Sequence, residues 1–175
     1  MRISTKKICI LGLFTAAALS LFVVELALPS LPMFPFIKIG LANTVTLFVL
    51  YLGGSWRFSD CAAVLFLRIL LGAFVTGQLM AVMFSAVGGL FALFSMYAGK
   101  KFFRNRAIPL VSVFGALAHN LGQMTVAVFV YGGFSLAYYV PVLIIGGIAG
   151  GLVTGFAVFA VNKGLDRFLI KIKDV

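Results

Sequence analysis

The fold is decided by an apolar run near the start of the chain, which reads ICILGLFTAAALSLFVVELAL over residues 8–28. A helix needs about 20 predominantly apolar residues to cross the hydrocarbon core of a bilayer. Arg2, Lys6 and Lys7 precede the run in the manner of a secretory signal. A signal has a shorter apolar region, and more apolar runs follow here, so we interpret this run as a retained first membrane helix.

The rest of the chain has the same character. The 175 residues are 63% hydrophobic and 10% charged, whereas soluble domains are about half apolar and about a quarter charged. Apolar runs long enough to span recur at residues 39–54, 59–77, 79–99, 108–131 and 137–162, although the first of these is marginal. The sequence therefore predicts an all-α membrane protein with six transmembrane helices in a single integral membrane domain, residues 1–175.

The basic residues test this division, because Lys and Arg collect in the loops that stay in the cytoplasm. With six spans, one side of the membrane receives four groups: Arg2, Lys6 and Lys7; Arg57; Lys100, Lys101, Arg104 and Arg106; Lys163, Arg167, Lys171 and Lys173. The loops on the other side carry only Lys38. This asymmetry predicts that both termini are cytoplasmic in a bacterial inner membrane. It also explains the net charge of +10 without a nucleic-acid partner.

Polar residues at membrane depth are the candidates for function, because ionisable groups there usually face a cavity or a partner. The predicted ligand-binding residues are Glu25, Lys38, Asn43, Arg68, His119, Asn120 and Gln123. In the fifth span, helical spacing places Ser112, Gly115, His119, Gly122 and Gln123 on one face, which we expect to point inward. A lone His with no Cys partner predicts no metal site. We expect no catalytic residue and no cofactor.

Arg68 carries the strongest single signal, because a guanidinium in mid-membrane needs a carboxylate, carbonyl groups or an anionic ligand. Glu25 is the acidic residue placed to pair with it, which is the structural interpretation. Lys38 and a protonated His119 would add positive charge that one Glu cannot balance. That excess favours a cavity that receives an anion from the outer side. Both interpretations stay open at this point.

Small residues repeat every four positions in two helices. The sets are Gly12, Ala16 and Ser20 in the first span and Gly147, Gly151 and Gly155 in the sixth. Such faces let membrane helices approach closely. For the sixth span we expect packing inside the bundle. For the first span, docking on another membrane subunit is the alternative, for the reason that the family resemblance described next supplies.

Three sequence runs carry a resemblance to a known family. They are IGLANTVTL at residues 39–47, LRILLG at 67–72 and GALAHNLGQ at 115–123. The chain resembles the family called heptaprenyl diphosphate synthase component I, also labelled the Gx transporter family. That family looks related to the substrate-binding S components of energy-coupling-factor (ECF) transporters. The resemblance implies an S-component-like bundle of six helices, whose first helix docks on a coupling transmembrane subunit that works with separate ATPases. Gly12, Ala16 and Ser20 match that docking face in type, although the typical alanine pair is only partly reproduced.

The two family labels imply different chemistry. A prenyl diphosphate synthase holds substrates through magnesium on clustered aspartates, whereas this chain has four scattered acidic residues: Glu25, Asp60, Asp166 and Asp174. It also lacks a Ser/His/Asp arrangement and a nucleotide-binding glycine loop. We therefore expect a substrate-binding transporter subunit that captures a small anionic or polar-headed compound of vitamin-like, isoprenoid, quinone or flavin type. The alternative is a non-catalytic membrane accessory subunit of the synthase in isoprenoid quinone biosynthesis.

Overall fold

The structure, a computed structural model, describes residues 4–27, 40–103, 107–132 and 138–164. All regular structure within these ranges is helical. The helices are α1 (Thr5–Ala27), α2 (Asn43–Leu52), α3 (Phe58–Thr76), α4 (Leu79–Phe103), α5 (Ile108–Tyr131) and α6 (Val140–Gly164). The predicted all-α class is confirmed, and five of the six helices are long and apolar enough to cross a membrane.

The second predicted span, residues 39–54, differs most from the structure. The helix in this region, α2, has ten residues. It is therefore about 15 Å long, which is about half the thickness of a bilayer's hydrocarbon core. Gly40 and Gly53 flank it with φ values of 81° and 68°, which interrupt the helix at both ends. Eight of its ten residues are buried, so α2 is a core element held by its neighbours. The structure does not confirm a sixth span, and the six-pass count stays a prediction.

The end of α4 corrects a second boundary. The predicted span 79–99 ends before Lys100, but the helix continues to Phe103 and includes Lys100 and Lys101. The Nζ atom of Lys100 donates to the carbonyl oxygen of Leu50 at 2.6 Å, near the C-terminus of α2. The Lys100 ammonium thus satisfies a carbonyl of the last turn of α2 that has no partner within that helix, and it lies at the negative end of the α2 dipole.

Helices α5 and α6 meet along the glycine face of α6. A Cβ atom on Gly151 would lie 2.6 Å from the Cα of Val113, and one on Gly155 would lie 2.6 Å from the Cα of Pro109. Neither backbone can yield easily, so only glycine permits this approach. The expectation that the sixth span's small face packs inside the bundle is confirmed.

The small face of α1 has no such role within the chain. Gly12, Ala16 and Ser20 are all exposed, and nothing lies within 4 Å of a Cβ placed on Gly12. The buried face of α1 is formed instead by Thr15, Ala18, Phe22 and Glu25. The face of Gly12, Ala16 and Ser20 therefore points away from the bundle.

Contacts of Lys7 and Arg57 join the start of α1 to the turn between α2 and α3 and to the first turn of α3. Lys7, at the start of α1, donates to Asp60 Oδ2 at 2.8 Å and to the carbonyl oxygen of Ser55 at 3.0 Å. Its Nζ atom lies 5.2 Å from the centre of the Trp56 ring. Asp60 also accepts the backbone N–H of Arg57 at 2.7 Å. We call Lys7, Ser55, Trp56 and Asp60 the end cluster; it ties α1 to the turn between α2 and α3.

Candidate functional site

Arg68 lies in the second half of α3, and its side chain is 3% exposed. Its Nη1 donates to Ser85 Oγ of α4 at 3.1 Å, and its guanidinium carbon lies 5.8 Å from the centre of the Phe22 ring of α1. The other terminal nitrogen, Nη2, is buried and has no hydrogen-bond partner among the described residues. An unmade hydrogen bond on a buried charged group is expensive, so this donor needs an explanation.

Glu25, near the C-terminal end of α1, is buried at 6% exposure. Its carboxylate accepts the backbone N–H of Gly40, just before α2. Among the described residues, the direct ion pair of Glu25 with Arg68 that one interpretation predicted is not formed. The two side chains instead face the same cavity, where their opposite charges attract each other.

His119 and Gln123 approach the cavity from α5, and both are buried. The Nδ1 atom of His119 lies 3.1 Å from the amide Nδ2 of Asn43, so α2 and α5 are linked at this point. Gly88 of α4 makes room for the imidazole, because a Cβ there would lie 2.8 Å from ring atoms Cε1 and Nδ1. The predicted inward face of α5 is confirmed, since all five of its residues are buried: Ser112, Gly115, His119, Gly122 and Gln123.

The four predicted residues Glu25, Arg68, His119 and Gln123 line one cavity, together with Phe22, Gly40, Ala81, Phe84 and Ser85. We call this the Arg68 cavity. Its volume is about 10 Å³, which is about the space that one water molecule needs. A larger ligand can enter only when the lining moves. The mixture of one cation, one carboxylate, an imidazole and an amide suits a polar or charged group.

The other predicted site residues lie elsewhere. Asn43 contacts His119. It also lines a separate small space of about 10 Å³ between α2, α4, α5 and α6. Asn120 donates from Nδ2 to the carbonyl oxygen of Leu143 at 2.8 Å, so it joins α5 to α6. Lys38 lies outside the described residues.

Sequence reasoning missed five members of the cavity: Phe22, Gly40, Ala81, Phe84 and Ser85. Ser85 was the detectable one, because it is one of only two serines in α4. Phe22 has no such signal, since phenylalanine occurs 19 times in the chain. Within the described ranges, no three His, Cys, Asp or Glu residues come close enough together to hold a metal ion.

Helices of this length around a buried polar cavity define an all-helical, multi-pass membrane protein. The model of the family described as heptaprenyl diphosphate synthase component I matches residues 14–161. The chain therefore belongs to that family, as the three sequence runs indicated. No curated protein and no solved structure matches the chain.

Proposed function

We propose that this chain is a non-catalytic membrane component that holds a small anionic or polar-headed molecule in the Arg68 cavity. The observation that carries the proposal is the buried Nη2 atom of Arg68, which has no partner among the described residues. A ligand oxygen there would complete a charge-assisted hydrogen bond. Glu25, His119 and Gln123 supply further polar contacts, and Asn43 orients His119.

The family description supports the role of a component beside a separate catalytic chain. The sequence agrees with that division of labour, because its four acidic residues are far apart in the sequence except for Asp166 and Asp174 in the tail, whereas a synthase holds magnesium and a diphosphate on clustered aspartates. On this proposal the chain is the membrane accessory subunit of a prenyl diphosphate synthase. Co-expression with the cytoplasmic synthase chain tests it: the two should co-purify in mild detergent. A synthase of full activity that stays in the soluble fraction would contradict this role.

The second candidate is an S-component-like subunit of an uptake transporter, and one observation favours it. The face of Gly12, Ala16 and Ser20 on α1 is exposed and unused within the chain. Flat small-residue faces of this type let another membrane helix approach. Here the partner would be an ECF-type coupling transmembrane subunit with its ATPases.

Replacing Ala16 with Leu tests that surface, and Ala17→Leu is the matched control because Ala17 is also exposed but lies beside the face. We expect Ala16→Leu alone to abolish co-purification with a coupling module while leaving the thermal unfolding temperature unchanged. Equal co-purification of both variants would eliminate docking through this face.

The finer topology is part of the same proposal: six passes with both termini cytoplasmic, in a bacterial inner membrane. Five long helices and the grouping of Lys7, Arg57 and Lys100 at one end support it. Reporter fusions after Arg106 and after Val175 should be cytoplasmic, and one at Gly133 should be external. A cytoplasmic reporter at Gly133 would contradict six passes.

Mass spectrometry of small molecules that co-purify with the protein tests the binding function directly. We expect a bound compound with an anionic or strongly polar group in the wild type and its loss in Arg68→Met, which keeps an unbranched apolar stem but removes the donors. Retention of the same compound by the variant would remove Arg68 from the site.

A further inference from the structure

Phe22 separates the Arg68 cavity from a second, apolar hollow. The second hollow lies between α1, α3 and α4, and its lining shares four residues with the Arg68 cavity: Phe22, Arg68, Ala81 and Ser85. Its other residues are Ile69, Gly72, Ala73, Thr76 and Val82. The two hollows are therefore neighbours that meet at the Phe22 ring.

The second hollow offers little to a polar group. The Thr76 hydroxyl donates to the carbonyl oxygen of Gly72 at 2.8 Å, so its hydrogen is used within α3. Apart from Arg68, Ser85 and Thr76, the lining residues are apolar or glycine. An alkyl or alkenyl group fits this lining, and an ion does not.

The ring of Phe22 fills the place where the hollows join. It lies under the Arg68 guanidinium on one side, and on the other side its Cε1 atom is 3.0 Å from the position of a Cβ on Gly72. With the ring in this place, the Arg68 cavity has a volume of about 10 Å³ and the second hollow a volume of about 0 Å³. Movement of this one ring would open the space between the two hollows, and the Arg68 side chain lines that space because it lines both of them.

We propose, resting on the proposed binding function, that the ligand is an amphiphile and that Phe22 sets its specificity. The anionic head binds Arg68 Nη2, and a short apolar tail displaces the Phe22 ring and lies between α3 and α4. Phe22 then determines how long a tail the site accepts.

A series of methyl, butyl and hexyl phosphate tests this proposal, with the protein in lipid nanodiscs and titration calorimetry as the measurement. Burial of one methylene strengthens binding roughly fourfold, which is the equivalent of about 0.8 kcal/mol. We expect wild-type affinity to rise from methyl to butyl phosphate by about that factor per buried methylene. Hexanol, which lacks the anion, is the control for partition into lipid and should give no saturable binding.

Two variants locate the tail. Phe22→Ala should bind hexyl phosphate more tightly than the wild type and leave methyl phosphate within about twofold, since no ring has to move. Phe74→Ala is the matched control, because Phe74 lies on α3 and is 79% exposed to the surroundings. If Phe22→Ala does not fold, Phe22→Leu should show the same preference for hexyl phosphate, with a smaller gain in affinity.

The outcomes separate the two proposals. Affinity that is equal for all three phosphates but lost in Arg68→Met overturns the amphiphile proposal and leaves the polar binding site intact. The same conclusion follows if Phe22→Ala and Phe74→Ala behave alike. Binding that is unchanged in Arg68→Met overturns the site itself, and the amphiphile proposal with it.

Discussion

Two buried or half-buried cations in this molecule have opposite surroundings. Lys7 in the end cluster has a carboxylate at 2.8 Å, a carbonyl at 3.0 Å and an indole ring at 5.2 Å. Arg68 lies deeper, yet it has one neutral hydroxyl at 3.1 Å and a donor nitrogen with no partner in the described part of the chain. The residue with the greater need for partners has fewer of them.

The difference separates structural charges from functional ones. In the end cluster, the Lys7–Asp60 pair holds α1 against the first turn of α3, and the contacts satisfy both charges. At Arg68, Glu25 is near enough to attract the guanidinium, but its carboxylate is engaged by the backbone of Gly40. A bundle that needed Arg68 only for stability would gain more from a direct pair or from an apolar residue.

The largest stability effect is expected at the end cluster. Lys7→Met should lower the free energy of unfolding by about 2 to 3 kcal/mol, because Asp60 is left largely buried without its cation. The neighbouring exposed Lys6 supplies the control, and Lys6→Met should change stability by less than about 0.5 kcal/mol. Thermal unfolding in mild detergent measures both. Equal effects would show that the end cluster is not a structural pair.

The next effect concerns the helix contact that positions His119. Gly88→Ala places a methyl group 2.8 Å from the imidazole, and relief of that clash should cost about 1 to 3 kcal/mol and loosen the contact between His119 and Asn43. Gly146→Ala in α6 meets nothing within 4 Å and should be neutral in a melting experiment. If Gly88→Ala leaves the melting temperature unchanged, the His119 ring has space to move.

The smallest effect is expected from the hydroxyl that holds Arg68. Ser85→Ala removes one hydrogen bond and should cost about 1 kcal/mol in the wild-type background. In Arg68→Met the same replacement should cost nothing, so the two changes are not additive. Ser20→Ala is the control, because that exposed hydroxyl bonds only within its own helix. If Ser85→Ala costs the same stability in the wild type and in Arg68→Met, the contact between the two side chains contributes nothing.

Much of the fold follows from apolar runs, because lipid requires helices of a fixed minimum length. Helices α1, α3, α5 and α6 lie within three residues of their predicted bounds. The second span could not be predicted well, since a core helix such as α2 needs no membrane-spanning length when neighbouring helices bury it. Helix α4 extends four residues beyond its predicted end, and in this extension Lys100 bonds to Leu50, a contact between residues 50 positions apart in sequence.

The candidate site was predicted in part for a similar reason. Charged and amide residues in apolar helices are rare, so Glu25, Arg68, His119 and Gln123 were recognisable, and the structure brings them to one cavity. Asn120 has the same signal but serves a helix contact, and composition does not distinguish those roles. Phe22 and Gly40 contribute through their position, which only the packing of α1, α2 and α3 reveals.

The most direct test of the account compares the wild type, Arg68→Met, Glu25→Gln and the double variant by thermal unfolding and by the amount of co-purified small molecule. We predict that Arg68→Met loses the ligand while the emptied protein unfolds at the same or a higher temperature, because an incompletely partnered buried charge has been removed. A lower unfolding temperature for Arg68→Met that Glu25→Gln restores, with the bound ligand unchanged throughout, would contradict it and make Arg68 a structural residue.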